Sequence, residues 1–164
     1  MWLVSSFLPL SKLVKDKFQD SIDLCSAPGG KAFQALINGL NITLNDISSS
    51  RLIILKKNLA RLKLSAKITN YNALLINETK KYDFIILDAP CSSIGTIRKN
   101  PEILFKINSP NFKSLLKLQQ NLLEKANLLL NNNGVILYMV CSFFYEETFK
   151  QIDTFLKKNK DFFV

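Results

Sequence analysis

Short apolar runs alternate with longer stretches of helical periodicity along the chain. Ser21 to Cys25 is a brief apolar run, followed by Pro28-Gly29-Gly30 and a helix-like stretch from Lys31 to Ile37. Asn41 to Ile47 reads as a second strand, with Asp46 at its end. Ser48, Ser49 and Ser50 then offer caps for a helix from about Arg51 to Lys63, because a serine oxygen accepts from the free N–H groups of a first turn. Ala66 to Tyr71 is a weaker third strand. Tyr82 to Leu87 is the clearest, with Phe84-Ile85-Ile86-Leu87 uninterrupted and Asp88 following. Beyond a loop with Gly95 and Pro101, an amphipathic helix is predicted from about Pro110 to Leu130. A fifth strand, Gly134 to Val140, leads to Cys141, and Glu146 to Lys158 closes the chain as a helix.

Continuously apolar strands alternating with helices predict an α/β protein: a parallel sheet covered by helices on both faces. A flavodoxin-like phosphate binder satisfies the same periodicity. No repeat or linker marks a second domain, so residues 1–20 read as an N-terminal extension and residues 21–164 as one folded unit.

Composition narrows the chemistry. The chain of 164 residues contains no histidine. Ser-His-Asp triads, Cys-His pairs, His-ligated zinc and imidazole bases are thereby excluded, and any reaction must use carboxylates, thiols, lysines and backbone. A net charge of +9 fits a polyanionic partner such as nucleic acid, although a lysine- and asparagine-rich bias produces the same figure. Cys25, Cys91 and Cys141 are too few and too scattered for a disulfide scaffold or a zinc knuckle, so no metal is expected. Met1 to Leu10 is apolar without the basic start of a signal peptide, and no run approaches the ~18 residues of a membrane span. A cytoplasmic protein with no membrane partner is expected.

In an open parallel sheet, ligands bind beyond the carboxyl ends of the strands. Those ends here carry Asp23, Cys25, Asp46, Asn72, Asp88, Cys91 and Cys141. Any one of them alone is ordinary, since strand ends are where caps, turns and small buried thiols belong. Recurring in consecutive strand–loop units, they point to one crevice. Cys25-Ser26-Ala27-Pro28-Gly29-Gly30-Lys31 joins a strand to a helix, and its glycines allow a tight turn and close ligand approach. It lacks the spacing of a dinucleotide fingerprint or a P-loop. A single carboxylate at the helix start suits it better, and Asp46 lies where an acid can accept from two ribose hydroxyls. An adenosine-type cofactor such as S-adenosylmethionine is expected. Asp88-Ala89-Pro90-Cys91 sets a carboxylate beside a thiol, and Cys141 supplies a second thiol one strand over.

At these residues the chain resembles the RsmB (Sun/Fmu) family of RNA cytosine-C5 methyltransferases. Asp23 to Lys31 is similar to that family's cofactor loop, and Asp46, Arg51, Asn58 and Arg61 to its next motif. Asp88 to Ser92 with Gly95, Ile97-Arg98 and Pro101 resembles its substrate motif. Leu118-Gln119, Leu122-Leu123, Ala126, Cys141-Ser142 and Glu146-Glu147 resemble the last. The resemblance implies a Rossmann-like class I methyltransferase fold and a two-cysteine mechanism on ribosomal or transfer RNA. Cys141 would add to C6 of a cytosine, Cys91 would serve product release, and Asp88 would contact the ring near N3. Cys25 to Lys31, Asp46, Asn72 and Asp88 would hold S-adenosylmethionine. Asn72 stands where the family carries an aspartate, Val140 replaces a threonine, and Asn131-Asn132-Asn133-Gly134 replaces a Pro-Gly-Gly turn. Family members also carry an N-terminal RNA-binding region and further strands after the last helix. The chain therefore reads as a catalytic core expected to lack the last strands of the sheet. A degenerate domain that binds RNA or a partner without turnover is the alternative.

The chemistry adds a requirement. C6 of cytosine is a weak electrophile and needs a thiolate, whereas a free thiol with a pKa of about 8.5 is only ~3% ionised at pH 7. Without histidine, a cation, backbone N–H groups or the bound base must stabilise the thiolate, and Lys31 and Arg98 are the candidate cations. The target base must also be unpaired or flipped out.

Overall fold

The computed structural model describes residues 18–104 and 111–164. Of the expected elements, most of the N-terminal extension and the start of the helix near Pro110 lie outside these residues. Five strands form one sheet: β1 (Ser21–Asp23), β2 (Ile42–Asn45), β3 (Ile68–Thr69), β4 (Tyr82–Asp88) and β5 (Leu130–Met139). The order is β3-β2-β1-β4-β5, and every neighbouring pair is parallel. Among the described residues, four α-helices connect or follow them: α1 (Gly30–Ile37), α2 (Ser49–Arg61), α3 (Asn111–Leu129) and α4 (Phe149–Lys158).

Strand β4 shows how the sequence makes two cores. Its side chains alternate across the sheet, as strand geometry requires. Phe84 and Ile86 join α1 and α2 residues such as Phe33 and Leu55 on one face. Ile85 and Leu87 join Leu122, Leu123 and Ala126 of α3 and Phe155 of α4 on the other. The sheet is thus wrapped on both sides, as the alternating pattern predicts. The order reverses at β1, which sits between β2 and β4 and opens a crevice above its carboxyl end.

Two elements differ from expectation. Strand β5 follows α3 directly at Leu130, so Asn131 to Gly134 is no turn ahead of the strand. It is an irregularity inside the strand: Tyr82 pairs with Leu130 and Phe84 already with Val135. Asn131 Nδ2 donates to Asp83 Oδ1 at 2.7 Å and Asn133 takes a left-handed φ of 63°, so the extra residues are held as a bulge. Helix α4 starts at Phe149, later than Glu146, because Glu147 turns inward instead of opening the helix. Ser48 caps α2 as predicted, its Oγ accepting from Arg51 N at 3.3 Å. Among the described residues, no helix is long and apolar enough to cross a membrane.

Candidate active site

The loop after β1 is fastened to the end of β2 at almost every residue. Ser26 N and Oγ both donate to the carbonyl of Asn45, at 2.8 and 3.0 Å. Ala27 N donates to Asp46 Oδ2 at 3.0 Å, while Ser48 N donates to Asp46 Oδ1 at 2.9 Å. Arg51 donates to the Ala27 carbonyl and lies 3.7 Å from Asp46, and Asn58 Nδ2 reaches the Pro28 carbonyl at 3.3 Å. Asp46 is thus a buried clamp, two of its roughly four acceptor positions taken by backbone.

Gly29 then turns the chain into α1 with φ of 115°, a conformation costly for any residue with a Cβ. A Cβ built there would also sit 2.0 Å from the Phe33 ring. Gly30 by contrast is exposed, with open space where its Cβ would be. The first turn of α1 has no side-chain cap and no acidic residue, so its N–H groups face that open ground.

The acidic residues gather beneath. Lys31 pairs with Asp88 across the crevice, both largely shielded. Asp23 is 1% exposed, with Cys25 N donating to its Oδ1 at 3.1 Å. Burial, helped by the charge of Asp88, raises its pKa from 3.8 to about 8, against the opposing Cys25 hydrogen bond. The same burial, with Asp23, Asp46 and Asp88 nearby, pushes the Cys25 thiol up to about 12. Asn72 stands apart from these groups: it is exposed, and its Oδ1 accepts from Leu74 N at 3.1 Å as the cap of a short 3-10 turn.

The remaining candidates meet at the ends of β4 and β5. Strand pairing continues past the sheet, with Ala89 N donating to Met139 O at 2.9 Å. Two residues further on, Cys141 N donates to Cys91 Sγ at 3.2 Å. Cys91 is half-buried and Cys141 exposed. A hydrogen bond from Cys91, assisted by Lys31 and opposed by burial and Asp88, lowers the Cys141 pKa from 9.0 to about 6. The same bond and its own burial raise Cys91 well above the ordinary thiol range. A protonated thiol donating to a thiolate accounts for both directions. The principal stabiliser of the thiolate is therefore its sister cysteine, a source absent from the expected cations. Lys31 is a lesser contributor, and Arg98 is exposed on the neighbouring turn.

Behind the thiols, Ser92, Gln119 and Glu147, which lie in the motifs quoted above, form a network that the motifs do not themselves announce. The Glu147 carboxyl, 0% exposed, accepts from Ser92 N at 2.8 Å, from Ser92 Oγ and from Gln119 Nε2 at 2.9 Å. Gln119 Nε2 also donates to the Pro90 carbonyl at 2.9 Å, and Gln151 Nε2 donates to Gln119 Oε1 at 3.2 Å. Tyr138 Oη donates to the Glu147 carbonyl at 3.0 Å. The Cys91 loop is thereby tied to α3, α4 and β5. Gly95 completes it: its N–H donates to the Cys141 carbonyl at 3.0 Å, and a Cβ there would stand 3.1 Å from that oxygen. Asn45, also fully buried, plays the equivalent part at the other end, bonding Leu24, Thr69 and Tyr71 together.

Comparison with known proteins places this arrangement. A family model described as 16S rRNA methyltransferase RsmB/F matches residues 12–163. Ribosomal RNA small subunit methyltransferase B of Yersinia enterocolitica is 35% identical over 145 residues, covering 85% of this chain and 34% of that protein. The protein of the same name from Pasteurella multocida is 33% identical over 150 residues, with the same coverage of 85% and 34%. The chain thus spans about a third of the length of these relatives, 34% in each case. Among solved structures, NSun6 from Pyrococcus horikoshii with SFG superposes with a TM-score of 0.75 at 27% identity, covering 84% of this chain and 36% of that one. A methyltransferase homolog protein from the same organism gives 0.73 at 31% identity, covering 93% and 49%. The five-stranded parallel sheet is the Rossmann-like class I methyltransferase architecture that these structures share.

Proposed function

As the chain belongs to the 16S rRNA methyltransferase RsmB/F family, we propose that it is the catalytic core of an RNA cytosine-C5 methyltransferase that uses S-adenosylmethionine. The observation that carries this reading is the contact between Cys91 and the thiolate-prone Cys141 at the open ends of β4 and β5. Ribosomal RNA is the first substrate to test, because the curated relatives bear that name, with transfer RNA second.

The residues present fit the cofactor. Gly30 offers open ground above uncapped helix N–H groups, which suits a carboxylate. Asp46 retains acceptor capacity for ribose hydroxyls beyond its two backbone bonds. Asp46 and Asp88 bring carboxylates to a floor that suits a ligand carrying sulfonium and ammonium charges, while buried Asp23 keeps its proton at neutral pH. Asn72, in the loop after β3, would offer the adenine an amide in place of a carboxylate. The SFG seen with NSun6 is an analogue of S-adenosylmethionine, which supports the assignment. When bound, S-adenosylmethionine supplies an electrophilic methyl group.

Each residue then has a task. The Cys141 thiolate forms a bond to C6 of the cytosine, and the C5–C6 π electrons move toward C5 and the ring nitrogen N3. Asp88, steadied by Lys31, contacts the base near N3 and sets its orientation. Cys91 holds the Cys141 thiolate before attack and remains beside it for release. Once C5 carries the methyl group and Cys141 is no longer a thiolate, Cys91 gives its own proton to solvent and takes the C5 proton; the C5–H electrons re-form the C5–C6 double bond, and the Cys141–C6 bond breaks to restore the thiolate.

Labelled S-adenosylmethionine with small-subunit ribosomal RNA and with transfer RNA tests this reading directly. Cys141→Ala should abolish methyl transfer, while Cys91→Ala should leave protein covalently attached to RNA in denaturing gels. Methyl transfer that survives Cys141→Ala would remove the proposal. The adduct appearing in Cys141→Ala instead would exchange the two roles.

A further inference from the structure

Immediately beyond Cys141 the chain turns three rings outward: Phe143, Tyr145 and Phe149 are 64%, 56% and 51% exposed. They are ordered against one another. Tyr145 and Phe149 lie nearly parallel, 22° between planes and 6.4 Å between centroids. Phe143 meets Phe144 edge-on at 5.6 Å, and Phe144 packs on Phe112 at the start of α3, 5.8 Å away. Phe144 is therefore the anchored layer, and each outer ring keeps about half or more of its surface in solvent. The surroundings are basic. Gly95, bonded to the Cys141 carbonyl, brings the turn bearing exposed Arg98 and Lys99 to the same strand end. Exposed Lys150 follows Phe149. Against these cations stand exposed Glu102 and half-buried Glu146, while Glu147 is internal and fully engaged.

We propose that Phe143, Tyr145 and Phe149 are a stacking platform for unpaired RNA bases beside the target cytosine, with Arg98, Lys99 and Lys150 meeting the phosphates. The proposal rests on the reading of the thiols as a cytosine site. A cytosine that reaches Cys141 must leave its stack, and its neighbours then lose a stacking face. Aromatic rings replace that face for any base, and flanking cations neutralise the backbone. The aromatic residues are placed where the stack is broken, next to the nucleophile.

The test uses the full chain without cofactor and an unstructured RNA of about 12 nucleotides, within the span of single-strand sites. The probe carries 2-aminopurine on each side of one cytosine, with fluorescein at its end for anisotropy. Phe143→Ala, Tyr145→Ala and Phe149→Ala should each weaken binding roughly 5- to 150-fold and abolish the stacking quench of 2-aminopurine. Tyr145→Phe should keep both. The dependence of affinity on salt should stay unchanged in the alanine variants and flatten in Lys99→Ala, because only the latter loses a phosphate contact. Melting curves establish that the variants are folded.

Wild-type affinity in all three alanine variants would overturn the platform, as would a wild-type chain that binds no RNA. Self-association that Phe143→Ala removes without touching RNA affinity would make the patch a contact between copies. Ring-dependent RNA binding by a chain that transfers no methyl group would sink the catalytic reading and keep the platform. Methyl transfer with RNA affinity undiminished in the variants would do the reverse.

Discussion

The backbone N–H of Cys141 donates to Cys91 Sγ at 3.2 Å, joining two thiols from loops after neighbouring strands. Beside this contact, which by itself lowers the Cys91 pKa, a hydrogen bond between the thiols and the burial of Cys91 divide labour between chemically identical groups. The buried partner keeps its proton, and the exposed one is freed to lose it. At pH 7 a thiol with a pKa of about 6 is roughly 90% thiolate, against about 1% for one near 9.

Alkylation by iodoacetamide reads this directly, since Cys25 and Cys91 are held protonated at neutral pH and only Cys141 reacts. The rate should rise through a midpoint near 6 in the wild type. Cys91→Ala removes the donor and should move the midpoint upward by about one unit or more, and Lys31→Met should move it less. An unchanged midpoint in Cys91→Ala would show that the thiolate is stabilised elsewhere.

Glu147 is a buried acceptor for three donors, two of them on Ser92. Glu147→Gln keeps the volume but turns an N–H₂ group toward one of those donors. A cost of about 1–3 kcal/mol is expected for the unmet hydrogen bond. The urea midpoint should fall, and the Cys141 alkylation profile should broaden or shift as the Cys91 loop loosens.

Asp23 makes stability depend on pH. Its folded pKa of about 8 lies above the ordinary 3.8, so between these values the folded chain binds more protons than the unfolded one. Stability then falls as pH rises through that window, and the contribution is fully present only at its acid end. Asp23→Asn should flatten this part of the curve of unfolding free energy between pH 5 and 8. A wild-type curve that climbs across the window, and does so equally in the variant, would refute the assignment.

Gly29→Ala places a Cβ on the Phe33 ring at a left-handed φ of 115°. The loop must shift, and destabilisation by about 1 kcal/mol or more is expected. Titration calorimetry should show weaker binding of S-adenosylmethionine than in the wild type. Gly30→Ala, which meets open space, should cost less stability while still obstructing the ligand.

The parts of this molecule legible in the sequence are those that local chemistry dictates. Phe84 to Leu87 could be read as a two-faced strand because burial on both sides needs an unbroken apolar run. The Asn131 to Gly134 signal for a break was sound, yet Asp83 captures Asn131 and folds the break into β5. Polar residues that work at long range, even those within the motifs, carried no sign of their partners. Glu147 bonds Ser92, 55 positions earlier, and Asn45 bonds Tyr71, 26 positions later. Neither periodicity nor spacing encodes partners so distant. The role of Cys91 toward Cys141 was hidden for the same reason: a thiol becomes a donor to another only when the fold brings them together.

The pairing of β4 with β5 also sets an order of events during synthesis. Cys91 leaves the ribosome well before Cys141, and the carboxyl group that pins its loop follows later still. A nascent chain that has exposed Cys91 therefore presents an ordinary thiol of unperturbed character. The thiol couple comes into being only when β5 has emerged and paired with β4, bringing Cys141 to Cys91, so a chain that has released only the first thiol lacks the couple.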